Sequence, residues 1–157
     1  MDTTLEWTPY ETERGKPMPS KNHGYIQGQF LYQLKKVGQQ KFTCFSELSL
    51  DLADWESVPD IAIYPKMDID FLHDETSMKE APLAVIEILS PTQSLQELVS
   101  KAEKYFQHDV QSCWLVLLSL RNVYVFSSAE NYRMFTHTEL LSDPTLGIEI
   151  PLGEVFS

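Results

Sequence analysis

Residues 83–89, "LAVIEIL", leave this chain few options. The run is bounded by Pro82 on one side and "SP" on the other, too short for a buried helix and too evenly apolar for a strand with one wet face. It reads as a strand covered on both sides. The next segment, "PTQSLQELVSKAEKYFQHD", changes period: Leu95, Leu98, Val99, Ala102, Tyr105 and Phe106 recur along one face of an amphipathic helix. "SCWLVLLS" follows as a second apolar strand. Strand, helix and strand over residues 83–118 predict a right-handed parallel crossover, so the chain is expected to build a sheet with helices against it.

The other segments extend that plan. Ser20 is placed to cap a helix over 21–37, with Ile26, Phe30, Leu34 and Val37 along one face and Gly38 ending it. "KFTCFSELSLDL" reads as strand, and "VPDIAIYP" as a short strand with Ile61 and Ile63 on one face. "GKPMPS" reads as extended chain, and the polar, aperiodic stretch 65–80 as a surface loop. "NVYVFSS" forms a hairpin with the preceding strand around 120–122, "YRMFTHT" adds another strand, and "GIEIPLGEVF" packs back on the core. The order implies a single α/β domain spanning 1–157, with a central mixed β-sheet flanked by helices.

Charge narrows the function classes. Twelve Lys and Arg against 23 Asp and Glu give a net charge of −11, which repels a phosphate backbone at long range. A metal-dependent enzyme acting on phosphates survives that objection, since its site is built from carboxylates and turns attractive once the cation is bound. Cys44 and Cys113 stand singly among apolar residues without a CxxC spacing, and read as core thiols of a reducing compartment. With no apolar run near the ~20 residues of a membrane span and no leader-like start, the expected location is cytoplasmic, with no membrane partner.

Three residues could carry chemistry. Glu87 is the fifth member of the buried strand, where an ionised carboxylate costs several kcal/mol, in order of magnitude, unless paired, hydrogen-bonded or bound to a metal. An edge or half-exposed strand would make it ordinary. Asp60 opens a strand directly after Pro59, a position that turn chemistry alone also explains. Lys101 falls at the border of the apolar arc of its helix and can reach the helix–sheet seam or snorkel over the arc, whereas Lys104 should face water. Two carboxylates on neighbouring strands and a lysine from the adjoining helix suit a hard divalent cation that keeps open positions for water and a phosphate oxygen. Phosphodiester hydrolysis needs such a set.

"VPDIAIYP", "PLAVIEILSPTQSLQELVSKAEKYF" and "CWLV" together resemble the Uma-type endonuclease family, long catalogued as a domain of unknown function, of the PD-(D/E)XK restriction-endonuclease-like superfamily. "PYETERGKPMPSKNH" and "GIEIPLGEVF" extend the resemblance over nearly the whole chain. It implies a restriction-endonuclease-like fold, with Asp60 the proline-following metal ligand, Glu87 the second ligand and the backbone carbonyl of Ile88 a further one. Lys101 is then the catalytic lysine, displaced from the Glu strand to the following helix. Glu11 and His23 match an accessory glutamate and histidine; otherwise Glu11 is an exposed acid and His23 a helix-terminus hydrogen bonder. Two features depart from the pattern: "TQSLQE" stands where the family often has basic residues, and Leu117 where it often has aspartate.

Other constellations are missing. His23, His73, His108 and His137 form no HExxH or HxH pair, and no GxSxG elbow, Walker loop or GxGxxG occurs. Asp68, Asp70, Asp74 and Glu75 lack the EF-hand glycine and glutamate and read as a solvated loop. The expectation is a Mg²⁺-dependent endonuclease acting on DNA, with Mn²⁺ as a substitute, and a homodimer or partner to supply substrate grip. The competing class is a non-catalytic interaction or regulatory module that keeps the fold.

Overall fold

The computed structural model describes residues 6–14, 18–38 and 40–157. Two helices open the chain, α1 (Pro9–Arg14) and α2 (Lys21–Gly38), followed by β1 (Phe42–Ser46), β2 (Leu50–Leu52), β3 (Trp55–Ser57) and β4 (Ile61–Pro65). After the 66–80 loop come β5 (Ala84–Ile88), α3 (Leu95–Gln107), β6 (Ser112–Leu117), β7 (Asn122–Phe126) and β8 (Tyr132–Thr136). The chain closes with β9 (Leu140–Asp143), β10 (Ile148–Pro151) and the short α4 (Leu152–Val155).

Six strands form the central sheet in the order β1-β4-β5-β6-β7-β8. Only the β5–β6 pair is parallel, with Glu87 opposite Leu115, so the sheet is mixed as expected and α3 is the crossover between its two parallel strands. Every residue of β5 is buried. Alternation along the strands sorts the core into two layers. Ile61, Ile63, Ile86, Ile88, Trp114 and Val116 pack with Ile26, Phe30 and Leu34 of α2. Ala62, Tyr64, Val85, Cys113 and Leu115 pack with Leu98, Ala102 and Tyr105 of α3. Because side chains alternate, Glu87 belongs to the Val85 face and looks toward α3.

Local signals account for the helices. Ser20 Oγ accepts the His23 N–H at 3.1 Å and starts α2, and Gly38 is its last residue. Ser94 Oγ accepts the Glu97 N–H at 3.2 Å, giving α3 the Ser-x-x-Glu spacing of a capped start. Burying Leu98 on the sheet contributes about 1.5–3 kcal/mol. Leu95, expected on the same face, sits in the first turn and is 45% exposed.

The segment 41–52, read as one strand, is two. Glu47 adopts a left-handed φ of 53°, which turns the chain out of the sheet after β1. β2 then pairs with β3 in a separate hairpin on the α3 side, an element the sequence reading missed along with β9. Both strands are too short to show a period. The first half of "GKPMPS" lies outside the described residues; 18–20 have no regular structure. Both cysteines are free, Cys113 buried and Cys44 half-buried, and burial pushes the Cys44 thiol up to about 11. Among the described residues, no helix is long and apolar enough to cross a membrane.

The end of α3 carries a pH-sensitive pair. His108 Nδ1 meets the Lys104 carbonyl at 2.7 Å and Nε2 meets Asp54 Oδ1 at 2.7 Å. The Asp54 hydrogen bond is the main reason that His108 titrates above its ordinary 6.5, and the same bond is the main reason that Asp54 titrates below its ordinary 3.8. The histidine's contribution to stability is therefore complete below pH 6.5 and lost as pH rises through its raised midpoint. The aspartate's is complete above 3.8 and lost as pH falls through its lowered midpoint. In an NMR titration the His108 midpoint is expected to fall in Asp54→Asn; an unchanged midpoint would refute the pairing in solution.

Candidate functional site

Asp60 and Glu87 meet where β4 and β5 run side by side. The Asp60 N–H points to Glu87 Oε1 at 3.3 Å. Asp60 Oδ2 accepts the N–H of Ile88 at 2.7 Å, so each acidic residue holds the other strand's backbone. Both are 1% exposed. Glu87 thus lies on an interior strand, and the edge-strand alternative is removed.

Lys101 reaches in from α3. Its Nζ lies 2.5 Å from Glu87 Oε2, with the lysine side chain 19% exposed and that of Glu87 2%. Lys104, one turn further, is exposed. The Tyr105 hydroxyl donates to Glu87 Oε2 at 3.2 Å and lies 2.7 Å from Ser57 Oγ. Burial, and then the Glu87 charge, push the Tyr105 phenol well above its usual range, so it keeps its proton and acts as a donor. With that proton directed to Glu87, Ser57 must donate to Tyr105.

His23, in the first turn of α2, is 1% exposed and places Nε2 at 3.1 Å from Asp60 Oδ1. In the neutral ring this puts the proton on Nε2, and Nδ1 is buried with no hydrogen-bond partner among the described residues. Gln27, one turn on, donates to the Asp60 carbonyl oxygen at 3.0 Å, and the Glu47 N–H donates to the same oxygen at 3.1 Å. One face of α2 therefore grips both ends of Asp60. Glu11 accepts the N–H groups of Thr8 at 2.9 Å and Met18 at 2.6 Å, which ties α1 to the chain entering α2.

Gln27, Glu47, Ser57 and Tyr105 were not read from the sequence as neighbours of the site. Gln27 carried a signal, because His23 and Gln27 are four residues apart and share a helical face. Tyr105 carried one as well, four residues after Lys101 on the same helix, whereas Glu47 and Ser57 depend on the β2–β3 hairpin and the turn at Glu47, which no local pattern gives.

Two clefts flank the Ser90–Ser94 turn and share Gln93. One, about 360 Å³, lies beyond the ends of β5 and β6 and is lined by Ser20, Asn22, Leu89, Ser90 and Leu117 among others. The crevice past the carboxyl ends of parallel strands is where open α/β sheets bind ligands. The other, about 420 Å³, includes Lys101 and Trp55.

As donors, the described residues present no group of three His, Cys, Asp or Glu side chains arranged to hold a metal. Two carboxylates joined through the backbone are too few for a closed cage of side chains, and would suit Mg²⁺, which is held by one or two carboxylates and keeps several waters of its own.

These features define a restriction-endonuclease-like α/β protein. The crystal structure of an Anabaena variabilis protein, described as "a putative nuclease belonging to DUF820", matches with a TM-score of 0.76 and 24% identity, covering 89% of this chain and 83% of that one. No curated protein matches the chain. The model of the Uma2 family, described as "Putative restriction endonuclease", matches residues 11–153, and the chain belongs to that family.

Proposed function

We propose that the chain is a divalent-metal-dependent endonuclease that hydrolyses phosphodiester bonds in DNA. One observation carries the reading: a carboxylate buried on an interior strand, linked to Asp60 through the backbone and met by the ammonium of Lys101. A purely structural domain gains little from such a pair, since removing charges from water costs about as much as their attraction returns. The family's description and the shared fold support the same class.

Asp60 and Glu87 would hold Mg²⁺, or Mn²⁺ in its place, with the Ile88 carbonyl as a further donor. Bound there, the cation supplies stabilisation of charge on the phosphorus centre and acidifies a coordinated water. Lys101 orients the attacking oxygen and stabilises the negative charge that develops on the phosphate. Tyr105 and Ser57 fix the Glu87 carboxylate from one side, and His23 and Gln27 fix Asp60 from the other. His23 completes the site as an accessory residue through its contact with Asp60, and Glu11, at the entry to α2, is the second accessory residue of the proposal. Because the chain carries a net charge of −11, a second copy or a partner supplies part of the grip on the substrate.

The test is nicking of supercoiled DNA in Mg²⁺, Mn²⁺ or chelator. Wild type is expected to nick only with metal, and Asp60→Ala and Lys101→Ala to slow nicking at least tenfold, a barrier increase of about 1.4 kcal/mol or more. Equal traces from all three proteins would instead favour a non-catalytic module that keeps the fold, the reading to which the acidic surface points.

A further inference from the structure

Next to Lys101 the surface changes character. Trp55 projects from β3 into the 420 Å³ cleft, where Lys101, Lys104, Ser94, Ser100 and Gln96 also line the wall. Its charged lining is two lysines and one glutamate, Glu97, on a chain with nearly twice as many acids as bases. The larger cleft, under the 66–80 loop, is the opposite: Asp68, Asp70, Asp74, Glu75 and Glu80 face one lysine, Lys79, and repel a phosphate chain.

The indole of Trp55 is held from two directions. Tyr105 packs edge-on at 4.8 Å between centroids and an angle of 69°, and the His108 ring lies at 5.2 Å. Lys104 Nζ stands over the ring, 5.8 Å from its centroid, on an exposed and flexible stem. A ring face screened by an ammonium that can swing aside is a platform for a flat ligand, and the ammonium can then pair with that ligand's charge.

We propose that this cleft binds an unpaired deoxynucleotide flanking the scissile phosphate. The base stacks on Trp55, its phosphate lies between Lys101 and Lys104, and the Ser and Gln side chains take the base edges. The inference rests on the nuclease reading, because Lys101 serves both the proposed site and the cleft. The nucleotide must be unpaired, since a base inside a duplex already has both faces stacked. Stacking also answers the charge problem. A base on an aromatic ring gains roughly fivefold to a hundredfold in affinity, which an acidic protein cannot obtain from backbone attraction.

The experiment is fluorescence anisotropy with a labelled oligo-dT strand in chelator, where no cleavage occurs, against a blunt duplex of equal length. Wild type is expected to prefer the single strand. Trp55→Leu, or Trp55→Phe if the first variant does not fold, should weaken binding at least fivefold and about twofold respectively, in line with the strength of base–aromatic stacking. Lys104→Gln should weaken binding and reduce the slope of log affinity against log salt by about 0.7. Lys36→Gln, on an exposed α2 lysine paired with Glu154 of α4, should change nothing. Undetectable binding by wild type, no preference over duplex, or wild-type affinity in Trp55→Leu and Lys104→Gln would each overturn the proposal. If plasmid is nicked while both variants bind normally, the subsite falls and the nuclease reading stands. If binding depends on both residues while no plasmid is nicked, the subsite stands and the nuclease reading falls.

Discussion

Lys101→Met is expected to melt well below wild type in chelator and to recover more than wild type does when Mn²⁺ is added. The substitution keeps most of the side chain's apolar stem, so its effect reports the lost charge. Breaking a fully buried ion pair from one side costs about 3–5 kcal/mol, because the remaining charge stays in a medium that solvates it poorly. Here the lysine side chain is one-fifth exposed, and Glu87 also receives the Tyr105 hydroxyl and the Asp60 N–H. A loss of about 2 kcal/mol follows, a drop of roughly 4–8 °C for a chain of this length. A cation held by Asp60 and Glu87, as proposed, would replace the missing positive charge, and its stabilisation would grow with occupancy. The double variant Glu87→Gln, Lys101→Met removes the buried charge together with its partner. It should regain stability in chelator and lose the Mn²⁺ shift. Should Lys101→Met melt like wild type in chelator, or the metal shift survive Glu87→Gln, the pair is not the site of cation binding.

The three residues at the centre were legible because each breaks a local rule. Glu87 is charged where a strand should be apolar, Asp60 follows a proline at a strand start, and Lys101 sits at the edge of an apolar helical arc. None of the three alone names a function; the crossover of 83–118 brings Glu87 and Lys101 to one seam, and Asp60 joins them through the pairing of β4 with β5. Of the residues around them, Gln27 and Tyr105 are signalled only by their helical spacing from His23 and Lys101, and Glu47 and Ser57 gave no sign. Ser57 and Tyr105 are 48 positions apart and meet only because β2 and β3 leave the main sheet and fold over α3. That departure depends on one left-handed residue, Glu47, of a type for which a continuing strand is the ordinary expectation. Trp55 shares the same dependence. The three residues that converge could be picked out from sequence, whereas the residues that hold them, and the cleft beside them, required the tertiary path.

Asp143 tests the frame on which the site rests. It is 1% exposed, at the end of β9, and its Oδ2 accepts Ser112 Oγ at 2.6 Å and Trp114 Nε1 at 2.8 Å. Oδ1 accepts the backbone N–H groups of Thr145 at 2.9 Å and Leu146 at 3.2 Å. One carboxylate therefore ties the β9–β10 turn to β6, the parallel neighbour of the strand that carries Glu87. Ser112 and Trp114 are fully buried, so the donors released by Asp143→Ala have poor access to water. Stranded buried donors cost about 1–3 kcal/mol each, reduced by whatever water enters the space, and a total near 4 kcal/mol is expected. The melting point should fall by roughly 8–16 °C. Asp143→Asn keeps the volume and one acceptor oxygen but turns an NH₂ toward two donors, so it should lose about half as much. Trp114→Phe strands no donor and shifts only packing against Phe30, whose ring lies 6.0 Å away. A melting point for Asp143→Ala within about 2 °C of wild type would mean that β6 is held by its sheet partners alone. A large drop, with Asp143→Asn between, makes the carboxylate the clamp that keeps β6, and through it β5 and Glu87, in register.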